Sequence, residues 1–203
     1  MTTHVADDVL GKFARQQHDW FERVRKGSLD PQKVMSTVQE LIDGGQFQIW
    51  KTIKLGTGLN TANDFRDALK ESGYRIGDWG DDILGQFAFT VSYTEREVDL
   101  VNISVAELGF KDRATRKDIY DRALEFGLEL CPAEVGPQLR LQYPDQSKDE
   151  WLRVAMEPIA DSDGVLHVFD VNHGGGERWL DGGDGRPGRF WNGGIHWLFL
   201  RSK

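Results

Sequence analysis

EVGPQLRLQYPDQ, residues 134–146, decides how the second half of the chain is built, because it has two readings. As a strand, Leu139, Leu141 and Tyr143 alternate with Arg140 and Gln142, the period of a half-buried strand. As a helix, begun at Pro132, Ala133 and Glu134, Val135, Leu139 and Gln142 share one face and Gln138 and Leu141 another. Either reading sets the Arg140 guanidinium between two leucines. Burying a guanidinium without acceptors is very costly, so Arg140 is expected to be at least half buried and paired with a carboxylate. Glu134 and Asp145 are the candidate partners. The pairing would be a structural clamp. The alternative is a polar cluster lining a ligand pocket.

Outward from this stretch, the N-terminal side reads as helical first. Residues 7–26 place Leu10, Phe13, Ala14, Gln17, Phe21 and Val24 near one face, and Gly27 ends the helix. Asp30 caps a second helix that has Pro31 at its first position, Val34, Val38, Leu41 and Ile42 as its stripe, and Gly44-Gly45 as its stop. These two helices form a hairpin, residues 1–45, ahead of a main domain over 46–203. The main domain opens on the strand FQIWKTIKLG. A helix follows, capped by Thr61, then a short one at GDWGDDILG. FAFTVSY and EVDLVNISVAEL read as strands, and ATRKDIYDRALEFG as a helix with Thr115 near its cap. Beyond residue 146, WLRVAMEPI, VLHVFDVNH, ERWL and GGIHWLFLRS read as a meander punctuated by Asp/Gly turns. Helices early and strands late indicate α+β: a helical hairpin, then a mixed or antiparallel sheet with helices and a C-terminal β-meander.

Composition narrows the function classes. Thirty-three acids against 25 Lys and Arg give a formal charge of −8, which argues against a broad nucleic-acid footprint. The single cysteine, Cys131, allows no internal disulfide and fits a reducing compartment. With no apolar N-terminal core and no apolar run near the roughly 20 residues of a membrane span, a cytoplasmic protein without a membrane partner is expected. Four of the seven tryptophans, Trp151, Trp179, Trp191 and Trp197, crowd into the residues after 150.

The runs WKTIKLGTGLNTANDFRDAL, SVAELGF, GLELCPAEVGPQLRLQYPDQ and RFWNGGIHWLFLRSK together resemble a family of bacterial hypothetical proteins. The likeness extends over nearly the whole chain, and an N-terminal helix pair like residues 7–43 is common in that family. It has no assigned activity, so the resemblance carries over no catalytic residue. It implies a single unit and a bacterial cytoplasmic setting.

No motif is catalytic on its face. KLGTGLNTAND, residues 54–64, sets glycines between a strand and a helix, where anions can bind. It lacks the GxGxxG and P-loop spacings, so a plain connection is expected. HGGGERW, residues 173–179, has the composition of an oxyanion loop without the GxSxG elbow that would go with it. His167 and His196 with Asp170 offer metal-ligating atoms but not metal-ligand spacing, so no metal or cofactor is expected. DSDG and DGGDG lack the closing Glu of a calcium loop. Cys131 reads as a small buried hydrophobe rather than a nucleophile. Residues 114–143 have a helix-turn-helix outline, but Arg140 is the one cation of its second helix and Glu134 would face the phosphates.

The reading is therefore a non-catalytic protein that holds a protein or small-molecule partner on its Trp-rich sheet face. The expected ligand-binding residues are Glu134, Arg140, Gln142, Trp151 and Trp191. The alternatives are an enzyme of unrecognised type, with Glu134, Arg140 and His167 or His196 around one pocket, and a helix-turn-helix regulator. Convergence of those polar side chains on one reacting atom would favour the enzyme.

Overall fold

In the computed structural model, which describes residues 7–35 and 47–202, the chain divides into two compact units, residues 1–46 and 47–203. In the first unit, helix α1 runs over Asp7–Arg25. Gly27 takes φ +72° to end it. Asp30 then caps the next turn, its Oδ1 accepting from the Gln32 amide at 2.9 Å, and residues 31–35 are helical. The expected stripe at Val38, Leu41 and Ile42 and the stop at Gly44-Gly45 lie outside the described residues.

The second unit is α+β, built on one large mixed sheet. Its strands are β1 (Lys51–Leu55), β2 (Arg75–Ile76), β3 (Arg96–Ser104), β5 (Leu128–Glu129), β6 (Trp151–Val154), β7 (Ile159–Ala160), β8 (Leu166–Gly174), β9 (Glu177–Asp184) and β11 (His196–Arg201). The order is β1-β3-β11-β6-β8-β9-β2, with β5 beside β11 and β7 beside β8. A separate two-stranded ribbon pairs β4 (Arg113–Thr115) with β10 (Phe190–Asn192). The helices are α2 (Ala62–Glu71), α3 (Asp78–Leu84), α4 (Arg116–Glu125) and α5 (Val135–Gln142). Thr61 and Thr115 close reciprocal capping boxes with Asp64 and Asp118, which fix the starts of α2 and α4.

The late strands depart from a simple meander. β6, β8 and β9 are consecutive antiparallel neighbours, but β10 leaves to pair with β4. β11 then inserts between β3 and β6, antiparallel to the first and parallel to the second. Trp197, Leu198, Phe199 and Leu200 are all buried, and such an unbroken apolar run suits a strand covered on both faces. FAFTVSY forms no strand. Phe89 instead packs edge-on against Phe65 and Phe169, and the Ser92 amide is taken by the Glu134 carboxylate at 2.8 Å, so the segment is held by side chains rather than by a ladder.

EVGPQLRLQYPDQ is a helix, α5. Pro137 falls in its first turn, where the missing N–H would have no intrahelical partner in any case. Val135 through Arg140 are all buried. Gly136 lies so close to the sheet that an added Cβ would stand 2.6 Å from Phe169 Cβ. On the opposite face of the sheet, Tyr120 of α4 packs edge-on against Trp197 and Phe199, and its hydroxyl donates to the Met156 carbonyl at 3.0 Å.

Among the described residues, every buried core residue lies in the second unit, from Ile53 to Leu200. A chain beginning at Phe47 is therefore expected to melt in one cooperative transition. A broad, probe-dependent melt would place residues 1–46 inside the folding unit.

Candidate functional site

The expected polar cluster of α5 is spent on the protein itself. Glu134, Gln138 and Gln142 recur every four residues, so they share one helix face. Glu134 accepts from the Gly56 amide at 2.7 Å as well as from Ser92. Gln138 Nε2 donates to Thr57 Oγ1 at 2.8 Å. The Gln142 amide accepts from Lys54 N–H and donates to Lys54 C=O, both at 2.8 Å. The glycine turn after β1, a place where an anion can bind, thus receives the chain's own carboxylate.

Arg140 is fully buried, as expected, but its partner is not a carboxylate. Its guanidinium donates to Gln146 Oε1 and to the carbonyls of Tyr143 and Asn172, and lies 4.7 Å from the Tyr74 ring centre. The reason is helical: six residues apart, Glu134 and Arg140 stand about 120° apart around the axis and face different neighbours. Burial lowers the Arg140 pKa to about 10, which leaves it charged at neutral pH.

The other candidates also separate. His167 is bonded to Asp161 at 2.8 Å and stacked on Trp79, while His196 Nδ1 lies 2.9 Å from Asn102 Oδ1. Among the described residues no three metal-ligating side chains gather. Cys131 is buried, its thiol donates to the Leu198 carbonyl at 3.3 Å, and burial pushes its pKa up. Trp151 is 47% exposed at the start of β6 and lines one cavity, whereas Trp191 is buried beside another.

The β4–β10 ribbon assembles a group that sequence reasoning missed. The Arg116 amide bonds the Arg189 carbonyl and the Lys117 amide the Pro187 carbonyl, which stitches the GRPGRF loop to the start of α4. Arg113, Arg186, Gly188, Arg189 and Phe190 then line a surface cavity of about 510 Å³. Arg113 stacks on the half-exposed Phe190 ring at 4.6 Å. Asp184 pairs with Arg186 at 2.5 Å and Arg189 at 3.8 Å, so one carboxylate faces two of the three guanidiniums and Arg113 is left without a carboxylate partner among the described residues. The Arg186 hydrogen bond lowers the Asp184 pKa. The available signal was arginine density in an acidic chain, but it spans two distant segments that only strand pairing joins.

Next to this cavity lies a buried polar row. Arg189 is 5.4 Å and Arg153 4.1 Å from the Trp191 ring centre. Trp197, Arg153, Asp170 and Asp181 occupy matching register positions on β11, β6, β8 and β9. Arg153 and Asp170 approach to 3.4 Å. Trp191 Nε1, Trp197 Nε1, Arg153 Nε and Asp170 Oδ1 are buried without hydrogen-bond partners. Burial raises the Asp170 pKa to about 7, with Arg153 opposing the shift and Asp181 adding to it. Burial therefore outweighs the ion pair.

Comparison of the chain with protein-family models, with curated proteins and with solved structures returns no match in any of the three. No described helix is long and apolar enough to cross a membrane.

Asp170 makes a signed prediction. A carboxyl raised to about 7 when folded and near 3.9 when unfolded binds more protons in the folded state between those values. Its contribution must therefore fall as pH rises from about 4 to about 7. Relative to the parent, Asp170→Asn should become progressively more stable across that window, measured by denaturant unfolding. A stability difference independent of pH would contradict the assignment.

Proposed function

We propose that the protein is a non-catalytic binding protein that takes a small anionic ligand at the Arg113–Arg189–Phe190 surface. The observation that carries this reading is that three arginines and the half-exposed Phe190 ring line one cavity of about 510 Å³, with Arg113 stacked on that ring, on a chain whose net charge is −8. Arginine forks match carboxylate and phosphate oxygens, and the exposed Phe190 ring suits an apolar moiety beside the anionic group. The ligand class is therefore a phosphate- or carboxylate-bearing molecule with a flat apolar part.

An enzyme around Glu134 and Arg140 has less support, since both side chains bond to the protein's own groups and neither converges with His167 or His196. A helix-turn-helix regulator would need α5 as its recognition helix, and that helix is buried.

Calorimetric titration of the full chain with phenyl phosphate and with inorganic phosphate tests the reading. Phenyl phosphate should bind saturably, more tightly than inorganic phosphate, and less tightly as salt rises. Arg113→Ala and Arg189→Ala, both at exposed side chains, should each weaken binding about tenfold or more, the effect of losing a charge-assisted hydrogen bond of roughly 1.5–3 kcal/mol. Absence of saturable binding, or binding indifferent to both substitutions, would overturn it.

A further inference from the structure

A second cavity, of about 270 Å³, opens where the starts of β6 and β11 come together beside β3, and its lining has the opposite electrostatic character. Asp149, Glu150, Trp151, Asn102, Ile195 and His196 line it, and no Lys or Arg does. The geometry points to a binding site for a small primary ammonium ion, independent of the anionic site at Phe190.

The argument starts with His196. Its Nδ1 lies 2.9 Å from Asn102 Oδ1. An amide oxygen only accepts, so Nδ1 is the donor of this pair, and in the neutral ring Nε2 is an acceptor. Nε2 has no partner among the described residues. The carboxylates come next. Asp149 and Glu150 precede β6 in a turn tied to the end of β8, with the Asp149 amide donating to the His173 carbonyl at 2.8 Å and the His173 amide to the Glu150 carbonyl at 3.0 Å. Burial, and then the Glu150 carboxylate beside its hydroxyl, raise the Tyr143 pKa, so Glu150 brings negative charge to the cavity rim. Glu107, whose pKa is lowered first by its Ser104 hydrogen bonds, adds a further negative charge near His196. Trp151 completes the set. It is 47% exposed, and no Lys or Arg of the described residues lies over its ring, although such stacks occur on Trp50 and Trp191.

These features select for one chemistry. An exposed indole face attracts a cation, and an acidic surround deepens the attraction. The unpartnered His196 Nε2 adds a demand for an N–H donor, and the Asp149 and Glu150 carboxylates favour a donor that carries positive charge. A primary ammonium ion supplies charge and donors together. A quaternary ammonium ion supplies charge alone, and a neutral alcohol supplies one donor without charge.

The test uses the full chain and three probes of similar size: butylammonium, tetramethylammonium and butanol. Nitrogen-15 NMR follows the Trp151 indole signal, assigned by its loss in Trp151→Phe, together with the His196 ring nitrogens. Butylammonium should shift both sets of signals saturably. Tetramethylammonium and butanol should bind roughly tenfold more weakly or worse. Trp151→Leu and His196→Gln should each weaken butylammonium binding by a similar factor, with thermal melts confirming that both variants are folded. Equal binding of the three probes would mean an unspecific apolar hollow and overturn the proposal. So would the absence of saturable shifts, or butylammonium binding unchanged in both variants.

Discussion

The fold depends on how a buried helix satisfies the polar groups it carries into the core. α5 brings Glu134, Gln138, Arg140 and Gln142 into contact with the interior, and a buried polar group left without a partner costs about 1–3 kcal/mol. The solution is to make the helix behave as a strand towards β1. Gln142 offers Lys54 an acceptor and a donor in the positions a neighbouring strand would fill, and Glu134 does the same for the amides of Gly56 and Ser92. β1 is the terminal strand of the sheet, and an edge with free amides is a template for unwanted pairing. The α5 side chains close it. Around the helix axis, Arg140 gathers the Gln146 side chain with the Tyr143 and Asn172 carbonyls, so the same helix ties the loop after it to β8.

That solution also determines where a ligand can bind. Apart from Arg140 Nε, the polar groups of α5 have their hydrogen bonds taken up internally. Two surface cavities of the second unit lie away from α5. The β4–β10 ribbon presents guanidiniums and an aromatic ring, and the starts of β6 and β11 present carboxylates, an imidazole and an indole. The ribbon and the large sheet thus each carry a cavity, with linings of opposite charge. Strand register also places Trp197, Arg153 and Asp170, buried polar groups, in line across β11, β6 and β8.

What could be read in the sequence was local. The caps at Asp30, Thr61 and Thr115 and the stop at Gly27 are dictated by side chains within a few residues, and each forms as expected. What escaped depended on distant pairing. FAFTVSY has strand composition, but its Ser92 amide is claimed by Glu134 and its Phe89 by the core. β11 continues the late run of strands in sequence, yet its doubly buried side chains draw it to the sheet centre. EVGPQLRLQYPDQ was ambiguous because leucines two apart and polar residues four apart satisfy both periods, and the tertiary partners of Glu134 and Gln142 on β1 choose between them. The expected Arg140 carboxylate failed for a related reason, since a helix turns the nearest acid away. Of the expected binding residues, Trp151 lines a cavity and Trp191 borders one, while the arginines of GRPGRF acquire meaning only when β10 meets β4.

The central claim is that α5 serves as the missing neighbour of β1. Amide hydrogen exchange at Lys54 tests it directly. Lys54 belongs to the terminal strand, and its N–H is directed to Gln142. The account predicts that in the parent this amide is protected to a degree comparable with that of Ile53. In Gln142→Leu it should lose that protection while Ile53 keeps its own. Free exchange of Lys54 in the parent, or protection unchanged by the substitution, would contradict the account.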